Sequence, residues 1–328
     1  MSQQIKECIL QKIRQYERIM IFRHIRVDGD CIGATRGLRE ILRLSFPEKD
    51  IRIYDQEPAS SFDYLGSDDT PVSEEWLCSA LGIVVDTATP DRIANPDFAK
   101  CREIIKIDHH INREPYGHLN WVEAERASAC ELIAEFYDTF RDQLKINAYA
   151  ASCLYLGMVT DTGRFQYPAV NGDSLRYAAM MLDEGVDTQQ LFGHLTNKPV
   201  SSLKYKSYVY GNIQTTPNGA AYIYISADTI REYGVTLESA SNVVSYMEGL
   251  EGCLCWMAFI ELPHPQGAVR VRMRSRFVET HPLTEKYGGG GHAMASGVTL
   301  PDKSLVPQMI SEADAWVKQY KETHEGWI

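Results

Sequence analysis

Residues 20–30 read Met-Ile-Phe-Arg-His-Ile-Arg-Val-Asp-Gly-Asp. An apolar run that passes straight into a polar, acidic turn predicts a strand over 20–25 and a turn over 26–30. Apolar spacing of the helical kind follows from 31 to 44. Further apolar runs predict strands at 51–54, 81–85 and 104–107, with helices over 128–140 and 146–159. Alternating βα units with continuously apolar strands imply a parallel sheet covered by helices on both faces. In such a sheet ligands bind beyond the carboxyl ends of the strands. The expected class is therefore α/β, a parallel-sheet domain followed by a smaller α/β domain with a mixed sheet. From about 175 to 211 the pattern is helical and strand-poor, which predicts a first domain over 1–190, a helical linker over 191–211 and a second domain over 212–328. In that last part Pro217-Asn218-Gly219 marks a hairpin. A strand pair at 254–262 and 268–274 flanks His264–Gly267, and a charged amphipathic helix closes the chain.

At 328 residues, 44% apolar and 23% charged, the chain has material for two buried cores. No window approaches the ~20 apolar residues that cross a bilayer. The first twenty residues mix charge with apolar positions, unlike a secretory signal, so a cytoplasmic protein without a membrane partner is expected. The eight cysteines are scattered with no Cys-x-x-Cys, which reads as reduced core thiols. A net charge of −11 argues against long nucleic acid as a partner, because that binding needs many phosphate contacts. Any nucleotide handled here should be small and held by a few basic groups and metal ions. Apolar helix faces near Leu175–Leu191 suit a homodimer.

Four segments supply candidate ligands for hard metal ions. His24, Asp28 and Asp30 follow the first strand; Asp86 ends Gly82-Ile-Val-Val-Asp86; Asp108, His109 and His110 end Ile104-Ile-Lys-Ile; Asp161 lies within Gly157-Met-Val-Thr-Asp161-Thr-Gly-Arg-Phe165. Taken singly, an acid after a strand is usually a helix N-cap or turn residue, and a lone histidine usually satisfies a local hydrogen bond. Together, at one edge of one sheet, they point to a site. A carboxylate at the end of an apolar strand is costly to bury unless compensated, and two divalent cations would compensate four at once. Oxygen and imidazole donors suit Mn2+, Mg2+ or Fe2+.

Asp108-His109-His110, preceded by His24-x-x-x-Asp28-x-Asp30 and followed by Asp161, resembles the DHH phosphoesterase superfamily. Gly288-Gly-Gly-Gly291-His292 resembles its associated C-terminal substrate-binding domain. Asp86-Thr-Ala-Thr-Pro-Asp91-Arg-Ile and Thr160-Asp161-Thr-Gly-Arg-Phe165 are similar to the stand-alone branch of nano-RNases and pAp phosphatases, and the likeness spans nearly the whole chain. The resemblance implies two Mn2+ ions, one held by His24 and Asp28, the other by Asp30, His109 and Asp161, with Asp86 bridging. It makes Asp86, His109, His110 and Asp108 the catalytic group. In it Asp108 orients a histidine or braces its loop, and His110 faces the substrate or is merely structural.

Arg270, Arg272, Arg274 and Arg276 alternate and would share one strand face. That face is either a solvated edge or a phosphate contact suited to guanidinium forks. The resemblance implies substrate binding by Arg274 and Ser275, and by Gly290, Gly291 and His292 of the glycine run. Two domains across a linker suggest a cleft that limits substrate length. The expected substrates are short RNA, pAp and the dinucleotide pApA, hydrolysed at a phosphorus attached to a ribose 3′ oxygen. A cyclic-dinucleotide or pApA phosphodiesterase, an inorganic pyrophosphatase of the same superfamily, and a non-catalytic nucleotide-binding module are the rival expectations. Arg164 either steadies a leaving group or pairs with a carboxylate, and Ser128 is most simply an N-cap.

Overall fold

A computed structural model describes residues 2–55, 60–111, 114–197, 199–265 and 267–326. The chain divides into two compact units, Met1–Thr196 and Asn197–Ile328. The stretch expected as a linker is occupied by two helices, Thr188–Thr196 and Val200–Asn212, one on each side of that division. Lys198 within it, Gln266 of the turn at 264–267, and the last two residues of the second domain lie outside the described residues.

In the first unit five parallel strands, β1 (Arg18–Phe22), β2 (Asp50–Ile53), β3 (Leu81–Val85), β4 (Glu103–Asp108) and β5 (Leu119–Val122), stand in the order β2-β1-β3-β4-β5. All five residues of β3 are buried, as expected of a central strand covered on both faces. Side chains alternate across the sheet. Ile19 and Ile21 join a core with the helices Gly29–Ser45, Ala129–Thr139 and Ala148–Asp161, while Met20 and Phe22 meet Trp76 and Leu77 of the helix Glu74–Cys78 on the other side. Strand β5 escaped the sequence reading: it has four residues, of which only Trp121 is fully buried, too short a run for an alternation to register. The strand order reverses between β1 and β3. That is the topological switch point at which open α/β sheets bind ligands, and here it places the end of β1 beside the end of β3.

The second unit is built on a six-stranded sheet of β6 (Gln214–Thr215), β7 (Ala220–Ile225), β8 (Cys255–Glu261), β9 (Val269–Ser275), β10 (Gly290–His292) and β11 (Ala295–Leu300). Their order is β10-β11-β9-β8-β7-β6, with β7 and β8 parallel and every other pair antiparallel. One face packs Met257, Phe259 and Val271 on Met309 and Val317 of the closing helix Val306–Thr323; the other packs Ile223 and Trp256 on Tyr205 and Val209. The glycine run ends in an edge strand: Gly290–His292 pairs with Ala295–Gly297. Gly291 is glycine for a packing reason, since its φ is +141° and a β-carbon there would stand 2.6 Å from the Ala295 carbonyl oxygen.

Candidate metal centre

Six side chains named from the sequence converge at the carboxyl edge of the first sheet. His24, two residues past β1, gives its Nδ1 to the Ile25 carbonyl at 2.7 Å, which leaves Nε2 to face the site. Asp28 caps the helix Gly29–Ser45. Its Oδ1 accepts from the backbone N–H of Asp30 and Cys31 at 3.1 and 3.0 Å, so Oδ2 is turned toward His24 Nε2, 3.4 Å away. Asp30 is buried in the first turn of that helix. Its two oxygens accept from the N–H groups of Ala129 and Cys130 at 2.6 and 2.9 Å, the positive end of a second helix. Ser128 caps that second helix through the Glu131 N–H at 3.0 Å, as expected.

Asp86 sits between the two groups. It is 3% exposed and holds a left-handed backbone at φ +53°. Its Oδ2 lies 3.3 Å from His24 Nε2, and its Oδ1 lies 3.3 Å from His109 Nε2. His109 directs Nδ1 to the Arg126 carbonyl at 3.2 Å. Its Nε2 also faces Asp161 Oδ2 at 3.4 Å and Asp30 Oδ2 at 3.7 Å. Asp161, expected in a strand end or loop at this edge, reaches it as the last residue of the helix Ala148–Asp161. Among the described residues the non-glycine positions with positive φ are Arg26, Asp86, Arg164 and Phe165, each a ligand candidate or within four residues of one. Strain gathered in this way is a mark of functional loops.

The electrostatics follow from this crowding. Burial and the neighbouring Asp86 carboxylate push the Asp30 carboxyl up to about 8. Burial alone would depress the His109 imidazole, but Asp86, Asp30 and Asp161 outweigh it and raise it to about 10. His24 is likewise raised, against its burial, by Asp28 and Asp86. Asp161 is raised by burial and by the Asp86 and Asp28 charges. These are the shifts of a site with an excess of negative charge.

A divalent cation fits these residues. Among the described residues the buried Asp86 Oδ1 accepts no well-formed hydrogen bond, with His109 Nε2 3.3 Å away, a costly state for a carboxylate oxygen unless a cation compensates it. Donor atoms of Asp30, His109 and Asp161 lie within 4.8 Å of one another, as do those of His24, Asp28 and Cys31. Asp86 presents one oxygen to each group. Cys31 was not foreseen: cysteine was read as core filler, and the one signal available was its place directly after the acidic turn.

Asp108 is fully buried and turned away from this cluster. Its Oδ1 lies 2.8 Å from His110 Nδ1 and its Oδ2 3.3 Å from Lys106 Nζ. Burial would raise its pKa, but His110 and Lys106 hold it below the usual carboxylate range; His110 in turn is raised by that hydrogen bond. Lys106 also escaped the sequence reading, hidden in the apolar run of β4. Its ammonium, wholly buried, donates to the Ala88 carbonyl at 2.8 Å and the Glu114 carbonyl at 3.3 Å, while Tyr116 donates its hydroxyl to Thr87 O at 2.8 Å. These bonds fasten the segment after Asp86 to the one carrying His109 and His110.

In the second unit β9 buries Val269, Val271 and Met273 and turns Arg270, Arg272 and Arg274 to its other face. A cavity of about 570 Å3 lies there, lined by Arg272, Arg274, Gly290, Gly291, His292 and Ser296 among others. Burial and the neighbouring Arg272 lower the Arg274 pKa. Ser275 is otherwise engaged: its hydroxyl donates to the Val278 carbonyl. Arg164 is exposed.

A doubly wound sheet that gathers carboxylates and imidazoles at its switch point is the layout of a metal-dependent phosphoesterase. Residues 18–158 match the model of the DHH family, N-terminal domain, and residues 218–319 match that of the DHHA1 domain. The chain belongs to the DHH family and is a hydrolase. It is 33% identical over 319 residues, 97% of this chain and 100% of the relative, to the bifunctional oligoribonuclease and PAP phosphatase NrnA of Bacillus subtilis. It is 35% identical over 290 residues, 88% of this chain and 91% of the other, to the probable bifunctional oligoribonuclease and PAP phosphatase NrnA of Streptococcus mutans. Among solved structures an exopolyphosphatase-related protein from Bacteroides fragilis superposes with a TM-score of 0.81 over 96% of this chain and 98% of its own at 20% identity, a likeness of fold.

Proposed function

We propose that this chain hydrolyses short oligoribonucleotides to 5′-mononucleotides and pAp to AMP and phosphate, in the cytoplasm, with two Mn2+ ions as cofactors. The observation that carries the reading is the division of Asp86, one carboxylate oxygen toward His24 and the other toward His109 at 3.3 Å each. A carboxylate so placed would serve two divalent ions of the kind used for in-line phosphoryl displacement. The names of the relatives support the substrate class. Mg2+ or Fe2+ would suit the same oxygen and imidazole donors.

His24 and Asp28 would hold one ion, Asp30, His109 and Asp161 the other, and Asp86 both. Bound there, the ions would supply charge neutralisation for the phosphoryl oxygens and an activated water. The chain's own groups do the rest. Asp108 accepts the Nδ1–H of His110 and leaves Nε2 directed outward, on a side chain 44% exposed. From there His110 gives a proton to the departing ribose 3′ oxygen. The P–O3′ bond breaks, the water oxygen takes its place on phosphorus and releases a proton to solvent, from which His110 is reprotonated, and the leaving oxygen departs as a hydroxyl. Arg274, Ser275, Gly290, Gly291 and His292 are the substrate-binding residues of the second unit.

Turnover of a ribodinucleotide, pAp, pApA and pyrophosphate with Mn2+ or with EDTA tests this. Metal-dependent release of 5′-mononucleotides and of AMP from pAp, lost in Asp86→Ala, is expected. Pyrophosphate as the sole good substrate would overturn the nucleotide assignment while sparing the metal centre.

A further inference from the structure

The two halves of the metal centre differ in chemistry. Around His109 the available donors are imidazole nitrogens of His109 and His110 and carboxylate oxygens from Asp30, Asp161 and Asp86. Around His24 they are an imidazole, the Oδ2 atoms of Asp28 and Asp86, and a sulfur, that of Cys31. Cys31 is fully buried and occupies the third position of the helix that Asp28 caps. Its backbone N–H binds Asp28 Oδ1, and its sulfur folds back to 3.4 Å from the Asp28 nitrogen and 3.6 Å from the Asp28 carbonyl oxygen. A serine would make those capping contacts better, with a stronger donor and acceptor. What sulfur adds at this place is its affinity for borderline and soft cations. Among the described residues no other cysteine joins a histidine and a carboxylate in such a group.

We propose that Cys31 is a ligand of the first metal position, completing a nitrogen, oxygen and sulfur set with His24, Asp28 and Asp86, and that this position, though it accepts Mn2+, prefers a borderline ion such as Zn2+, Co2+ or Fe2+ more strongly than the second does. The proposal rests on the two-metal reading above and goes beyond it by making the centre asymmetric. Four mixed donors of this kind match the preference of borderline divalent ions; the all-oxygen-and-imidazole set at His109 matches a harder ion. The coordinate bond forms from a sulfur lone pair, and the thiol proton leaves to solvent as the ion binds.

The test uses the full-length protein stripped of metal and reloaded with Co2+, whose spectrum reports its ligands directly. Two Co2+ per chain with a thiolate-to-cobalt charge-transfer band in the near ultraviolet is the expected result for wild type. In Cys31→Ser and Cys31→Ala the band disappears although visible d–d absorption and a cooperative melt remain. Co2+ or Zn2+ affinity at one position falls about tenfold or more, while Mn2+ affinity moves far less. Two bound Co2+ without the band in wild type, or a band that survives in Cys31→Ala, would overturn the sulfur ligand and leave the two-metal reading standing. Fewer than two Co2+ bound by wild type would overturn both, and that outcome is distinguishable by metal count alone.

Discussion

Gly33 lies so close to Cys153 that a β-carbon on it would stand 2.3 Å from the Cys153 carbonyl oxygen. Across the same contact, a β-carbon on Gly157 would stand 2.1 Å from Cys130 Sγ and 2.8 Å from Asp30 Oδ1. Glycines at these two positions let the helices Gly29–Ser45 and Ala148–Asp161 approach backbone to backbone, and that approach carries Asp161 to His109. Gly33→Ala therefore overpacks the contact. A loss of about 1–3 kcal/mol of stability is expected, with weakened metal binding because Asp161 is displaced. Chemical denaturation and a metal titration of the same variant check both; wild-type metal affinity in a destabilised protein would show that the helix contact and the site are independent.

Lys106 is expected to matter more than its distance from the metal ligands suggests. Lys106→Met fills the space but leaves Asp108 buried without its cation and the Ala88 and Glu114 carbonyls without their donor. Breaking one side of a buried ion pair typically costs about 3–5 kcal/mol. The expected kinetic signature is a fall in kcat with KM little changed, since His110 is set by Asp108. A variant as stable and as active as wild type would remove Lys106 from this network.

His109 and His110 are neighbours with different duties, and single substitutions separate them. His110→Ala should keep its metal ions and lose about 10²–10⁴-fold in kcat, the usual contribution of a proton donor. His109→Ala should lose metal affinity as well as turnover. Metal content by mass spectrometry beside steady-state kinetics distinguishes the pair. Loss of metal from His110→Ala would make it a ligand, a role its 3.7 Å separation from Asp86 Oδ1 leaves geometrically open.

The metal-free protein should lose stability as pH rises. The native Asp30 carboxyl titrates near 8 against an ordinary 3.8, and native His109 near 10 against 6.5. Between each pair of values the folded chain holds a proton that the unfolded chain has released, so stability falls with pH, through about 8 for Asp30 and about 10 for His109. Divalent ions replace those protons. The rise in Tm on adding Mn2+ should accordingly be larger at about pH 8.5 than at about pH 6, as differential scanning fluorimetry would show; a larger rise at the lower pH would contradict the shifts.

How much of this was legible in the sequence depended on what each residue's signal was made of. Strand Leu81–Val85 is the stretch of apolar residues the sequence predicts, because a central strand buried on both faces has no polar alternation to blur it. His24, Asp28, Asp30, Asp86 and His109 were legible because each follows an apolar run. Asp161 was legible as a residue and nearly so in its setting, since the helix predicted over 146–159 stops two residues short of it and the observed helix runs on to Asp161. Cys31 and Lys106 were opaque for opposite reasons: buried cysteine is common in cores, and a buried lysine inside a strand has meaning only once its oxygen partners at Ala88, Asp108 and Glu114 are in place. The edge strand Gly290–His292 was masked by glycines whose cause is a neighbouring strand.

The most direct test of the centre is the number of Mn2+ ions bound per chain, counted by native mass spectrometry or equilibrium dialysis across a Mn2+ titration, for wild type and for Asp86→Asn. Two ions on wild type, with both weakened together in the variant, is the result that a carboxylate shared between His24 and His109 requires. A single ion on wild type, or two ions held by Asp86→Asn with undiminished affinity, would contradict it.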